Sequence, residues 1–216
     1  MRPEHNGGEL SSKQERALAE PSEKSRGIVE IPCLCVRAGD PGATRLTLER
    51  AARRAEELDV RSVVVASTSG RTGLEAAPLF KGRNLVVVTH STGFSGPDIQ
   101  ELRPEIREKL EAAGARVLTC QHAFGGVGRA VRKKWGTYEL EEILAMTLRV
   151  FGQGVKVAVE IALMAADAGL VSTREPCLSL GGAGQGADTA LLLRPANAQT
   201  FFDLKVMEIL VKPRLE

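Results

Sequence analysis

No run in this chain approaches the roughly 20 apolar residues that a helix needs to cross a bilayer, and Met1 to Ser25 lacks the apolar core of a secretory leader. A cytoplasmic protein with no membrane partner is expected. An excess of one charge is missing too. The 29 Lys and Arg against 27 Asp and Glu leave a formal charge of +2, too small to imply nucleic acid. Cysteine is sparse: Cys33, Cys35, Cys120 and Cys177 show neither the C-x-x-C spacing of a zinc site nor the density of a disulfide scaffold. Reduced, buried or incidental thiols are the default, and no metal is expected. If Cys33 and Cys35 lie on one strand, they share a face open to redox or metal chemistry. Low-complexity segments and internal repeats are also lacking.

What remains is ordinary globular material, 43% hydrophobic and 26% charged over 216 residues, enough for one well-buried domain. Residues 1–27 are polar and charged, with little to bury, and read as a flexible tail; residues 28–216 read as the domain. A strand is expected over Ile28 to Val36, put at an edge or a bulge by Pro32. From Thr44 to Leu58 the residues Leu46, Leu48, Ala51, Ala55 and Leu58 recur at helical spacing. Strand and helix patterns then alternate: a strand over Val63 to Ala66, a helix over Thr72 to Phe80, a strand over Asn84 to His90, a helix over Pro97 to Ala113, and a strand over Ala115 to Cys120. Such alternation builds a parallel sheet.

Helical patterns over Tyr138 to Phe151 and Val155 to Ala168 meet at Gly152-Gln153-Gly154, and strand patterns follow over Pro176 to Leu180, Thr189 to Leu193 and Leu204 to Val211. Gly181 to Asp188 is too short for a crossover helix, so the strand after it is expected to run antiparallel. The fold class is α/β: a three-layer α/β/α single domain with a mostly parallel sheet and antiparallel C-terminal strands. Leu204 to Val211 reads as an edge that pairs with another subunit or lies under a covering loop, and a homo-oligomer is expected.

Chemistry is expected in the loops after the strands, because parallel strands open their carboxyl ends on one edge, where helix starts present unpaired N–H groups. Ser67, Thr68, Ser69, Gly70, Arg71 and Thr72 follow the first buried strand. An N-cap needs one hydroxyl and this loop has four, so the pattern points to a phosphate cradle to which Arg71 adds a charge-assisted pair. His90, Ser91 and Thr92 follow the next strand, with Phe94 as a stacking face. A third loop carries His122, Phe124 and Arg129, ahead of the basic residues Arg132, Lys133 and Lys134. Gly182, Gly184 and Gly186 are dense enough to suggest a dinucleotide fingerprint, yet they lead into a strand rather than a crossover helix. They read instead as backbone that approaches a ligand closely, with Asp188 as an acceptor, or as a plain hairpin. Lys156 and Glu160 sit four apart in a nearly apolar helix and read as a surface ion pair, unless the Gly152-Gln153-Gly154 helix start faces a ligand.

Leu46 to Gly73, with its Val-Val-Val-Ala-Ser-Thr-Ser-Gly-Arg-Thr core, resembles the C-terminal α/β domain of pyruvate kinase, whose matching loop binds the phosphate of a sugar-phosphate activator. Ile28 to Arg214 is more similar still to free-standing archaeal and bacterial proteins of this fold. The pieces that carry this resemblance are Ala66 to Ser69, His90-Ser91-Thr92-Gly93, Lys156 to Gly169, Gly181-Gly182 with Gly186 to Ala190, and Phe201 to Lys205. Pyruvate kinase activity is not implied, since 216 residues leave no room for the catalytic barrel. The free-standing family implies bound flavin mononucleotide, with the phosphate on Ser67 to Thr72 and the ring along Gly181 to Gly186. Arg71 departs from the smaller or acidic residues of that family. A flavin mononucleotide protein, with an oxidoreductase of unassigned substrate as its catalytic form, is the first reading; a non-catalytic module for a sugar phosphate or other phosphorylated metabolite is the second. An enzyme acting on a phosphorylated substrate through His90 or His122 is the third.

Overall fold

Val63, Val64 and Val65 are wholly excluded from solvent, on both faces of their strand, as expected where helices cover both sides of a parallel sheet. The computed structural model describes residues 29–37 and 39–215, of which Pro32 onward belongs to one compact unit. The expected tail, residues 1–27, lies outside the described residues.

The order is β1 (Leu34–Val36), α1 (Ala43–Glu57), β2 (Ser62–Ala66), α2 (Arg71–Ala76), β3 (Asn84–Val88), α3 (Pro104–Ala112), β4 (Arg116–Leu118), α4 (Val127–Trp135), α5 (Leu140–Arg149), α6 (Gln153–Asp167), β5 (Cys177–Gly181), β6 (Thr189–Arg194) and β7 (Lys205–Pro213), with a 3-10 turn at Ala198–Asp203. Among the described residues seven strands form one sheet in the order β1-β7-β6-β5-β2-β3-β4. β2 pairs in parallel with β3 and with β5, and β3 with β4. β6 runs antiparallel to both β5 and β7, as the short connection after β5 requires.

One face of the sheet packs Val64, Val86, Val88, Leu191 and Leu193 against α6, with Ala145 of α5 behind it. On the other face Val87 lies close under Gly73 of α2 and Leu110 of α3, so three layers are present. Helix α6 buries 12 of its 15 residues; a helix apolar nearly all round is a core helix. At about 1.5–3 kcal/mol for each fully buried large apolar side chain, α6 is the main anchor of its layer.

Several segments differ from expectation: α2 ends at Ala76 rather than Phe80, β4 spans only Arg116–Leu118, and α4 is an added helix. Helix α3 starts at Pro104 rather than Pro97, because Pro lacks an N–H and holds the preceding Arg103 extended, at φ −67° and ψ 144°. β7 is only partly an edge: β1 pairs with it at Val211, Lys212 and Pro213. β1 is itself the sheet edge and shorter than expected, starting two residues after Pro32.

Candidate functional site

The chain leaves β2 outward through β3 and β4, then returns to the opposite side of β2 as β5. The strand order therefore reverses at β2, and open α/β sheets take ligands in the crevice outside the carboxyl ends at such a point. Val65 of β2 lies opposite Leu180 of β5, so the loops that follow these strands face each other across the crevice. Residues more than a hundred positions apart in the chain meet here.

An outer cleft of about 440 Å³ is lined by Ser67, Thr68, Ser69, Arg71, Thr72, His90, Gly182, Gly184 and Gly186, together with Gln153 and Gln185. Nine of the twelve expected contacts thus share one cavity. The other three do not. Ser91 and Thr92 line a separate cavity of about 610 Å³ beside Gln121, Gly126 and Lys133. Gly70 lies beneath the loop, where φ of +86° and the approach of Ile106 and Leu102 exclude a side chain.

Ser67 is buried, and its Oγ accepts the N–H of Gly73 at 3.1 Å, so this hydroxyl stabilises the start of α2. Among the described residues, the backbone N–H groups of Thr68, Ser69, Gly70, Arg71 and Thr72 meet no acceptor. Arg71 is exposed and only 3.9 Å from Glu75, a loose pair that leaves the guanidinium available. Across the cleft Asp188 closes its own loop: it accepts Ala183 N–H at 3.1 Å and the Thr189 hydroxyl at 2.7 Å. Its role is to hold the turn. At the start of α6, a Cβ on Gly154 would lie 2.1 Å from Thr189 Oγ1. Gly154 therefore serves helix–strand contact, and Gln153 is the residue of that triplet on the cleft wall.

A smaller inner cavity of about 240 Å³ shares Ser67, Thr68, His90, Gln153 and Val157 with the outer cleft. Lys156 and Glu160 meet in its wall, Nζ to Oε2 at 2.5 Å, at 3% and 2% exposure. The expected surface ion pair is thus a buried one. Phe124 N–H donates to Glu160 Oε1 at 2.9 Å, and His122 Nδ1 lies 3.6 Å from Oε2. Burial by itself would push the Glu160 carboxyl up; His122 and Lys156 outweigh that and hold it at about 2. Burial pushes the Lys156 ammonium down, Glu160 acts against this, and Arg149 and Arg129 act with it. His90 Nδ1 lies 2.8 Å from Glu101 Oε2, and the His90 ring packs on Phe94 at 3.9 Å between centroids. The signal that could have found the pair is the nearly apolar pattern of α6, since a helix apolar all round is a core helix and its charges are then buried.

Among the described residues no three His, Cys, Asp or Glu side chains are grouped to hold a metal, and no helix is long and apolar enough to cross a membrane. Cys33 and Cys35 are exposed rather than buried, while Cys177 is buried and its thiol pushed up to about 12 by desolvation. Native protein treated with iodoacetamide is expected to be alkylated at Cys33 and Cys35 and to keep Cys177 unmodified until unfolding. Peptide mass analysis reads this out.

A doubly covered α/β sheet with a polar cleft at its topological switch point defines the class of domain. The chain belongs to the family described as the pyruvate kinase alpha/beta domain, whose profile matches residues 46–193. Among solved structures it is similar to Cryptosporidium parvum pyruvate kinase in complex with ADP, at 11% identity and a TM-score of 0.40 over 71% of this chain and 24% of that one. A second Cryptosporidium parvum pyruvate kinase structure matches at 10% identity and a TM-score of 0.38, over 71% and 22% of the two chains. The chain spans under a quarter of the length of these kinases.

Proposed function

We propose that the chain is a cytoplasmic protein that binds flavin mononucleotide in the outer cleft, with the phosphate on Ser67 to Thr72 and the ring along Gly182 to Gly186. The observation that carries this reading is the convergence of both loops on one cavity of about 440 Å³, within the usual size range of cofactor sites. The residues fit the group. Unpaired N–H groups from Thr68 to Thr72, the hydroxyls of Ser69 and Thr72 and the exposed guanidinium of Arg71 suit a phosphate. The glycine loop offers backbone groups without side chains to a planar ring. The similarity of the sequence to free-standing proteins associated with this cofactor supports the same choice.

A bound flavin supplies reversible electron transfer; the chain's own part is to bind, orient and shield it. The test is the absorption spectrum of purified protein, followed by titration of flavin mononucleotide into protein freed of ligand. Saturable uptake is expected, and protein that is colourless and takes up no flavin overturns the reading in favour of a sugar-phosphate module. Ser69→Ala with Thr72→Ala is expected to weaken flavin mononucleotide by about 1 kcal/mol or more per lost bond while sparing riboflavin, which lacks the phosphate. Equal affinity in the double variant would move the phosphate elsewhere.

A further inference from the structure

The inner cavity has a charge pattern that its own contacts leave incomplete. Lys156, Arg129 and Arg149 line it against one carboxylate, Glu160, which Lys156 already occupies. Arg129 rests over the Phe94 ring at 4.9 Å, and Arg149 Nε donates to Gln153 Oε1 at 2.6 Å. Among the described residues neither guanidinium pairs with a carboxylate. Glu101 is engaged by His90 on the shared wall and stands outside the lining.

A second, independent feature points into the same region. His122 Nε2 is buried without a hydrogen-bond partner, while Nδ1 of the same ring faces Glu160. A buried polar nitrogen left unpaired is costly. The phenyl ring of Phe94 lies 5.1 Å from the His122 ring and 4.9 Å from the Arg129 guanidinium, and all three residues line the cavity.

We propose that this inner cavity is a binding site for a small 2-hydroxy or 2-oxo carboxylate. The carboxylate meets Arg129 and Arg149, and the hydroxyl or carbonyl oxygen two atoms away meets His122 Nε2. Guanidinium groups match a carboxylate in charge and shape, and the oxygen satisfies the orphan nitrogen. A volume of about 240 Å³, equal to roughly eight waters at about 30 Å³ each, suits a small carboxylate and lies below the usual range for cofactor sites. The site stands whether or not flavin fills the outer cleft.

Titration calorimetry of the full chain with glycolate, acetate and inorganic phosphate tests this. Glycolate is expected to bind about tenfold more tightly than acetate, which lacks the second oxygen, and more tightly than phosphate. His122→Leu is expected to abolish the preference for glycolate over acetate. Arg149→Met, at the exposed mouth and away from the core, is expected to weaken glycolate by about tenfold with an unchanged melting temperature. No measurable heat with glycolate, tighter binding of phosphate, or full glycolate affinity in Arg149→Met each overturns the proposal. Flavin uptake is read with separate variants, so failure of one site is distinguishable from failure of the other.

Discussion

Glu160→Ala is expected to lower the unfolding free energy by about 3–5 kcal/mol, the cost of stranding a buried charge by removing its partner. Lys156 is 3% exposed and bonds Glu160 at 2.5 Å; without the carboxylate its ammonium must deprotonate or draw water into the core. Phe124 N–H loses its acceptor in the same change. The loss is large against the 5–15 kcal/mol that stabilises a typical domain. Lys156→Met with Glu160→Gln is expected to cost less than Glu160→Ala alone, since no charge is stranded and the amide oxygen still accepts from Phe124. Urea unfolding of the three proteins measures this. A Glu160→Ala loss below about 1 kcal/mol, the scale of an exposed pair, would show that the pair is not buried in solution.

The pH dependence has a defined sign. Glu160 ordinarily titrates near 4.5 and is held at about 2 in the folded chain. A depressed carboxylate contributes stability that is complete above its unfolded value and is lost as pH falls through its folded one. Wild type should therefore lose about 3 kcal/mol more than the Lys156→Met/Glu160→Gln protein between pH 4.5 and 2. Lys156 is shifted down, and its linkage lies on the alkaline side, where stability rises with pH up to its ordinary value of 10.5. It leaves the acid limb undisturbed. Parallel acid curves for the two proteins would mean that Glu160 is not held ionised by its neighbours.

The parallel core was legible because Val63 to Val65 and Leu85 to Val88 are short apolar runs between turn residues, and their strands are β2 and β3. The antiparallel β6 followed from a loop too short to cross over. Periodicity failed at Pro97 to Ala113, where apolar spacing ran through Pro104 and the backbone rule for proline set the boundary. Facing loops were visible as small-residue clusters, yet nothing local said that Ser67 to Thr72 would meet Gly182 to Gly186; sheet order decides that. Ser91 and Thr92 were placed with them because they follow a neighbouring strand, but their loop turns towards Gln121 and Lys133 instead. The inner cluster was missed for a related reason. A four-residue Lys–Glu spacing is the same on a wet helix and a buried one, and only the apolar surroundings of Lys156 and Glu160 distinguish them.

Gly70→Ala is expected to cost about 2–5 kcal/mol and to abolish ligand binding in the outer cleft, because it acts on the loop from below. Two penalties combine. At φ of +86° a side chain costs about 1–2 kcal/mol. Its Cβ would also sit 2.3 Å from Ile106 Cγ2 and 2.8 Å from Leu102 Cδ1, an overlap worth about 1–3 kcal/mol in a packed interior. Relieving the overlap must lift the loop from α3, and the loop carries the N–H groups of Thr68 to Thr72 that the phosphate reading uses. A cycle of Gly70→Ala, Ile106→Ala and the double variant separates the terms: Ile106→Ala opens space for the new methyl but leaves the backbone strain. The double variant is therefore expected to recover part of the stability and, with the loop reseated, part of the flavin affinity. Recovered stability with no recovered binding would place the phosphate away from this loop.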